Sequence, residues 1–141
     1  MFKYLEKYKE QGDLEYSVSD NLASACNAPR HSSGIYLIFS DKLKLDNLIY
    51  VGVSGREGSK GEIIHRKDGL GGRIVKGKQF GEPRRNSWSK KMIEFGFEKI
   101  IVQWYVTYGE FNQDIPRVLE NKLLNQLFNF KGKLPLWNKK F

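Results

Sequence analysis

The sequence has one cysteine, two histidines and no long hydrophobic run, and each shortage excludes a class of protein. Cys26 alone cannot form an intramolecular disulfide, and with only His31 and His65 beside it the chain cannot assemble a multi-ligand zinc site. No apolar run approaches the roughly 18 residues that cross a bilayer, and the charged opening MFKYLEKYKE differs from a signal peptide. We therefore expect a cytoplasmic protein that does not enter a membrane.

Length and composition favour one folded unit. The 141 residues are enough for a single hydrophobic core but too few for two ordinary domains. Hydrophobic residues make up 40% and charged residues 28% of the chain, which is typical of globular proteins and not of disordered ones. We expect an N-terminal helical or irregular extension over residues 1–30 and a folded domain over residues 31–141.

The net charge of +8 is concentrated in one part of the chain. The segment from Gly55 to Lys91 holds eleven of the 24 Lys and Arg residues but only four of the 16 Asp and Glu residues. Such a local excess attracts polyanions through counterion release, and nucleic acid is the usual partner. A solubilising charged face is the simpler alternative. The DNA contacts predicted in this basic, glycine-rich insertion, residues 54–91, are Lys60, Arg66, Lys67, Lys76, Lys78, Arg84, Arg85 and Lys90.

Dense apolar and aromatic runs predict the strands of a small sheet. Residues 34–39 and 48–53 are two such runs with a polar connection, which predicts an antiparallel hairpin, and residues 99–108 form a third strand. Both hairpin runs are apolar at successive positions, so helices should cover both faces of the sheet. Capping and stop signals predict helices over residues 70–76, from residue 86 or 87 to 95, and from residue 114 or 115 to about 130. The predicted fold class is α/β (α+β), with a three-stranded antiparallel sheet flanked by helices.

Two tyrosines of the predicted hairpin are expected to face each other. If the turn is centred near residue 43, Tyr36 lies opposite Tyr50, and the period of two along a strand puts Gly52 on the same face. The missing side chain of Gly52 would leave room for a group to approach that face. Cross-strand aromatic pairs are also ordinary sheet stabilisers, so the pair by itself does not indicate a site.

Glu120 falls inside the apolar face of the last predicted helix. At about 100° per residue, that face consists of Leu119, Leu123, Leu124, Leu127, Phe128 and Phe130. A carboxylate that faces the core needs a cation, a metal ion or several hydrogen bonds, because leaving it unpaired costs several kcal/mol. We therefore expect Glu120 to have a partner, either in a buried salt bridge or because it is a metal ligand or a catalytic acid.

The residues Gly34-Ile35-Tyr36, followed by Tyr50-Val51-Gly52, resemble the paired signature of the GIY-YIG nucleases. The order of the strands and the late helical glutamate are also similar to that family, and the resemblance covers about residues 33–138. The catalytic residues that it implies, matched to the family pattern one by one, are Tyr36, Tyr50, Arg73, Glu120 and Asn138.

The resemblance implies an endonuclease that hydrolyses double-stranded DNA with Mg²⁺ or Mn²⁺, most like the stand-alone restriction enzymes of the family. Glu120 would hold the metal ion, and Arg73 would neutralise the phosphate charge. Tyr36 is the preferred general base, Tyr50 would be an orienting hydrogen-bond donor, and Asn138 would support the site through its amide. Recognition of a palindromic sequence would favour a twofold homodimer.

The chain departs from the family pattern in a hairpin connection longer than usual and in two further features that bear on the site residues. Twenty-two residues separate Tyr50 from Arg73, which exceeds the usual spacing, so Arg56 or Arg66 is an alternative counterpart of the family arginine. Many members carry a histidine one turn after that arginine, where this chain has Gly77. The candidates for the histidine's role are Lys76, Lys78 and His65. Two other functions therefore stay open: a structure-specific repair or recombination nuclease, and a nucleic-acid-binding domain that does not cleave.

Overall fold

Residues 2–140 are described by a computed structural model whose centre is a four-stranded antiparallel sheet within a mixed α+β fold. The strands of this sheet are Gln11–Ser17 (β1), Ser33–Ser40 (β2), Leu48–Ser54 (β3) and Lys99–Tyr108 (β8). They lie in the order β1-β8-β2-β3, so β1 and β3 are the edges. Two short ribbons complete the strands: Arg56–Glu57 (β4) with Ile63–Ile64 (β5), and Lys78–Gln79 (β6) with Glu82–Pro83 (β7).

Helices surround the sheet. Within residues 2–140 the α-helices are Leu22–Ala25 (α1), Gly69–Lys76 (α2), Arg84–Phe95 (α3) and Pro116–Lys131 (α4). The predicted helices agree with α2 and α4 to within two residues, whereas α3 begins two residues before its expected cap. Gly96 and Gly132 end α3 and α4 with a φ of 74°, a conformation that favours glycine. No helix in this part of the chain has the length and apolar character needed to cross a membrane.

The expectation of three strands is wrong, because β1 adds a fourth from the segment predicted as an N-terminal extension. β1 pairs with β8, which places Leu14 opposite Val102 and Tyr16 opposite Ile100. Leu14 and Tyr16 are the buried residues of β1, and more exposed, mostly polar residues alternate with them. A half-buried edge strand of this kind gives a weaker sequence signal than the continuous apolar run of β2.

Both faces of the sheet are covered, as the apolar runs of the hairpin predict. On one face, the cluster includes residues of α2 and α3: Leu70, Ile74, Trp88 and Met92. On the other face, the cluster includes residues of α4: Leu119, Leu123, Leu124 and Leu127. Phe128 and Phe130 were predicted for that face but are exposed. Phe128 lies at the margin of the apolar face of α4, and Phe130 lies in its last turn.

The β2–β3 hairpin has a different register from the expected one. Tyr36 lies opposite Gly52 and Ile38 lies opposite Tyr50, so the two tyrosines are offset by two residue pairs. A β-bulge after Ile38 and a 3₁₀ turn at Leu45–Asn47 lengthen the connection and shift the pairing. Because the shift is an even number of residues, both tyrosines still point to the face that α2 and α3 cover.

Candidate active site

Tyr36 and Tyr50 pack side by side, with their ring centroids 6.1 Å apart. The expectation that the two phenols share a face of the sheet is confirmed. They differ in access to solvent, because Tyr36 is 0% exposed whereas Tyr50 is only partly buried. Of the two side chains, Tyr50 is therefore the one that a ligand can touch without rearrangement of the site.

Tyr36 lies across the backbone of Gly52. A Cβ at residue 52 would overlap Cζ of Tyr36 and would lie 2.5 Å from its Oη. The group that approaches Gly52 is therefore the Tyr36 ring, and the space expected there is not open to a ligand. The absence of a side chain at residue 52 is what lets the phenol adopt this position.

We expect Gly52→Ala to destabilise the fold and to displace the Tyr36 phenol. A methyl group forced into a packed contact costs about 1–3 kcal/mol of the free energy of unfolding, which urea denaturation measures. The same substitution should cost less in a Tyr36→Leu background, because the overlapping ring atoms are then absent. An equal cost in both backgrounds would mean that the contact with Tyr36 does not determine the effect.

Arg84, the first residue of α3, is a buried cation that donates two hydrogen bonds inside the site. Its Nη2 donates to Tyr36 Oη at 2.7 Å, and its Nη1 donates to the carbonyl oxygen of Arg73 at 2.9 Å. Its guanidinium carbon lies 5.2 Å from the ring centroid of Tyr36, 5.9 Å from that of Tyr50 and 5.1 Å from that of Trp88. Arg84 forms no ion pair within residues 2–140. The aromatic rings and two oxygens are thus its main surroundings.

This placement corrects the expectation that Arg84 is a surface contact to DNA, because its side chain is 0% exposed. Arg84, Trp88 and Met92 are spaced four apart, so they share one face of α3, and all three are buried. That spacing is the sequence signal that identifies Arg84 as facing inward. The sequence predicts the start of this helix at residue 86 or 87. Arg84 then lies outside the helix, and its spacing from Trp88 and Met92 does not indicate burial.

Arginine side chains occupy the space beside Gly77, the residue at which the resemblance leads one to expect a histidine. Gly77 ends α2, and a Cβ there would lie 2.8 Å from Nη1 of Arg73 and 3.1 Å from Nη1 of Arg84. A side chain at residue 77 would therefore force the Arg73 guanidinium to shift and would press against that of Arg84. Arg84, from the next helix, lies where a residue one turn after Arg73 would project.

The three side chains expected to replace the histidine have other placements. Lys76 forms an ion pair of 2.7 Å with Asp68, and His65 Nδ1 shares a hydrogen bond of 2.6 Å with the hydroxyl of Ser33. Lys78 is exposed on the ribbon that leads to α3. None of the three has a contact with Tyr36 comparable to that of Arg84 within the described chain.

Arg73 lies on α2, at a groove of about 380 Å³ that Arg66, Lys67 and Lys76 also line. Its Nε is buried and has no hydrogen-bond partner within residues 2–140. A buried donor without a partner costs about 1–3 kcal/mol, and its burial also keeps it out of direct reach of a ligand in the groove. The four cationic side chains that line the groove are what suit an anion.

Glu120 enters the site from the opposite layer. It lies on α4 and lines a groove of about 370 Å³ beside the end of β3, together with Arg56, Arg66 and Arg117. Its side chain is partly buried, and within residues 2–140 it forms neither a hydrogen bond nor the salt bridge considered above. Burial raises the pKa of Glu120, and the charge of Arg117 opposes this shift.

Tyr50 interacts electrostatically with groups from both layers. Burial raises the pKa of Tyr50 to about 12, and the neighbouring Tyr36 and Glu120 act in the same direction. Arg84 and Arg73 oppose the shift, because a cation favours the ionised phenol. The second tyrosine, the two arginines and the carboxylate therefore all lie within electrostatic reach of one phenol.

Arginines outnumber carboxylates in this region. Arg66 lines both grooves, and its pKa is lowered first by desolvation and then by the charge of Arg73, with Arg84 and Arg56 acting in the same direction. Mutual repulsion of this kind is relieved when an anion binds between the cations. Arg66 is thus positioned to act with Arg73 on one ligand, instead of being an alternative to it.

Asn138 holds the edge of β3. Its Oδ1 accepts a hydrogen bond of 2.9 Å from the N–H of Val51, and its Nδ2 donates one of 3.0 Å to the carbonyl oxygen of Val51. The backbone N–H of Trp137 also donates to the carbonyl oxygen of Ile49 at 2.7 Å. Both functional groups of the Asn138 amide are thus used on the residue next to Tyr50, which makes Asn138 a positioning residue.

The predicted DNA contacts other than Arg84 are exposed: Lys60, Arg66, Lys67, Lys76, Lys78, Arg85 and Lys90. Lys76 and Lys90 are engaged in surface ion pairs with Asp68 and Glu82. Exposed pairs of this kind are weak and do not prevent a lysine from contacting another anion.

Glu120 is compatible with the role of a single protein ligand to a divalent metal ion. Residues 2–140 contain no group of three or more His, Cys, Asp or Glu side chains that could hold a metal. Mg²⁺ is often bound through one or two carboxylates, with waters and substrate phosphates completing its shell. An unpaired carboxylate beside arginine-lined grooves fits that pattern.

Comparison of the chain with protein-family models, with curated proteins and with solved structures gives no match. A functional conclusion therefore depends on the geometry of these residues and on the resemblance of the two tripeptides.

Proposed function

We propose that the protein is a Mg²⁺-dependent endonuclease that hydrolyses phosphodiester bonds in double-stranded DNA, of the type found in the stand-alone restriction branch of the GIY-YIG nucleases. The observation that carries this proposal is that Arg73, Arg84 and an unpaired Glu120, each from a different element, all lie within electrostatic reach of Tyr50. Cleavage of a palindromic sequence would also call for a twofold homodimer.

The arginines supply the charge that a phosphodiester needs. Arg73 lines the groove, so its guanidinium charge can neutralise a phosphate that binds there. Arg66 adds a second cation at the junction of the two grooves. Because both groups are in place before the ligand binds, little reorganisation is needed as negative charge develops in the transition state.

Glu120 is the residue that would hold Mg²⁺. A bound Mg²⁺ would neutralise phosphate charge and favour the ionisation of a water. The Glu120 carboxylate is partly buried and lines the groove, where Arg117 is its neighbouring cation.

The two tyrosines have different roles in this proposal. Tyr50 is protonated at neutral pH, because its pKa is raised to about 12, so it donates a hydrogen bond to the substrate or its attacking water. Tyr36 is covered by protein and accepts a hydrogen bond from Arg84, so it acts as a positioning residue through that arginine. We therefore do not retain Tyr36 as the preferred general base, since access to water would require this bond to open.

A second candidate is a domain that binds nucleic acid without cutting it. The complete burial of Tyr36 favours this alternative, because the family resemblance gives a catalytic role to the equivalent tyrosine. Both candidates use the same basic surface, and they differ only in whether Mg²⁺ brings about hydrolysis.

Incubation of supercoiled plasmid with the protein tests the proposal. We expect the wild type to cut DNA when Mg²⁺ is present and not when EDTA is added. Arg73→Ala should reduce the rate at least about a hundredfold, since it removes a charge that acts on the transition state. Gel electrophoresis of the products over time gives both the rate and the fragment pattern.

The fragment pattern separates the alternatives. Fixed fragments from a defined plasmid support a restriction-type enzyme, whereas cutting confined to branched or nicked substrates supports a repair or recombination nuclease. DNA binding by the wild type without any Mg²⁺-dependent cutting refutes the nuclease and supports the binding domain. A rate for Arg73→Ala equal to that of the wild type refutes the role given to Arg73.

A further inference from the structure

The ribbon of β4 and β5 borders the Glu120 groove, and we propose that it reads base sequence in the major groove of DNA. This inference rests on the proposed function. The ribbon spans residues 56–64, with Arg56 opposite Ile64 and Glu57 opposite Ile63. A two-stranded β-ribbon is one of the two elements that the major groove of B-DNA admits.

The tip of the ribbon is ordered by its own hydrogen bonds. The N–H of Gly58 donates to the carbonyl oxygen of Glu62 at 2.7 Å, and the N–H of Gly61 donates to the carbonyl oxygen of Gly58 at 3.1 Å. The N–H of Lys60 donates to the Glu62 carboxylate at 3.0 Å. A Cβ at Gly61 would meet no heavy atom within 4 Å, so this tip is open to an approaching partner. A preformed tip limits the conformational entropy that is lost on binding.

The base of the ribbon is fixed to the sheet through Ser33 at the start of β2. Ser33 is buried, and its hydroxyl shares a hydrogen bond of 2.6 Å with Nδ1 of His65, which follows β5. Gly55, which precedes β4, has a φ of 98° and packs so closely that a Cβ would overlap the Ser33 hydroxyl. Both ends of the ribbon therefore meet one buried side chain, which sets the ribbon's direction relative to the site.

The charge pattern separates the ribbon from the rest of the basic insertion. Residues 56–64 contain two basic and two acidic side chains, whereas residues 65–91 contain nine Lys and Arg against two Asp and Glu. Cations strengthen contacts to phosphates, whereas base edges present both acceptors and donors. A balanced set of donors and acceptors suits base recognition, while the strongly basic remainder suits the DNA backbone.

The position of the ribbon supports the same division. Arg56, Glu57 and Ile63 line the groove that contains Glu120. DNA with a phosphate at Glu120 would therefore have its neighbouring bases beside the ribbon. Arg56, Glu57 and Lys60 are exposed, so their side chains are available to base edges. Arginine and lysine commonly bind guanine O6 and N7, and glutamate accepts from cytosine N4.

The experiment measures binding, so that it does not depend on cleavage. The full chain carrying Glu120→Gln selects duplexes from a randomised library, and the affinities for a selected and a scrambled duplex are then compared. We expect Lys60→Ala and the double variant Arg56→Gln/Glu57→Gln to lower the preference for the selected duplex at least about fivefold each. Their affinity for the scrambled duplex should change much less. Lys78→Ala, an exposed lysine outside the ribbon, is the matched control and should weaken both duplexes equally.

The outcomes distinguish this inference from the proposed function. The reading role is refuted if the ribbon variants keep the full preference for the selected duplex. It is also refuted if the parent protein binds DNA without any sequence preference. Neither result contradicts the proposed nuclease activity. A preference that depends on the ribbon, in a protein that never cuts DNA with Mg²⁺, supports the reading role and refutes the nuclease. Absence of DNA binding overturns both.

Discussion

Glu120→Gln is expected to reduce Mg²⁺-dependent DNA cleavage at least about a hundredfold while making the folded protein more stable at neutral pH. Glutamine keeps the size of the side chain but removes the negative charge that would hold the metal ion. The carboxylate forms no hydrogen bond or ion pair within residues 2–140, so its replacement breaks no protein contact of that kind. Activity and stability should therefore move in opposite directions.

The gain in stability follows from the direction of the pKa shift. Burial raises the pKa of Glu120 in the folded chain, so the folded state binds more protons than the unfolded state between the two pKa values. The free energy of unfolding therefore falls as pH rises from the unfolded pKa through the folded pKa, and stays lower above it. Because glutamine does not titrate, the stability of Glu120→Gln relative to wild type should increase over the same interval. Its Tm should exceed that of the wild type at pH 7 by more than any difference at acid pH.

Calorimetry with and without Mg²⁺ tests this prediction separately from cleavage. Mg²⁺ should raise the Tm of the wild type, because it binds the folded state, and should not raise that of Glu120→Gln. Glu94→Gln is a matched control, since Glu94 is an exposed glutamate of α3 that pairs with Lys91. It should leave both cleavage and the response to Mg²⁺ unchanged. Wild-type cleavage by Glu120→Gln would refute the metal-binding role.

The elements that the sequence predicts well are those with long, uninterrupted patterns. β2 is buried along its whole length and β8 along most of it, and the start of α4 is indicated by Pro116. β1 was missed because burial of Leu14 and Tyr16 alone is a short alternating signal among polar residues. Pairing with β8, which is far away in the sequence, makes that segment a strand, and no local pattern contains this information.

The hairpin shows how a correct face can accompany an incorrect register. The predicted centre of the turn placed Tyr36 opposite Tyr50, but the bulge and the 3₁₀ turn place it opposite Gly52. Side-chain direction has a period of two, so a shift by two residues preserves the shared face. The clustering of the two phenols could therefore be predicted, whereas the contact of the Tyr36 ring with Gly52 could not.

Local sequence determines part of the position of each site residue, and packing between distant elements determines the rest. The inward direction of Glu120 follows from helix periodicity, but its position beside Arg117, at a groove that also contains Arg66, depends on how α4 meets the end of β3. Arg84 is the reverse case. Its position within a basic segment suggested a surface role, whereas its spacing from Trp88 and Met92 predicts burial once the start of α3 is known.

Arg84→Met is the second substitution with a large expected effect: cleavage should fall at least about a hundredfold, while the free energy of unfolding should change by no more than about 2 kcal/mol. Methionine fills much of the space of the arginine side chain and removes a buried cation that has no ion pair within the described chain. Its cost is the loss of two hydrogen bonds, to Tyr36 Oη and to the carbonyl oxygen of Arg73. Those bonds fix Arg73 and Tyr36 relative to each other, so the effect should appear mainly in kcat.

A double-mutant cycle with Tyr36→Phe separates positioning from simple packing. If the Arg84–Tyr36 hydrogen bond carries the effect, the double variant should lose little more activity than either single variant, because each removes the same interaction. Arg84→Lys restores the charge without the fork, so it should recover only part of the rate. Arg85→Met, at the exposed neighbouring residue, should affect DNA affinity and leave the unfolding free energy unchanged. A large loss of stability in Arg84→Met, with a normal kcat for the folded fraction, would instead make Arg84 a structural residue only.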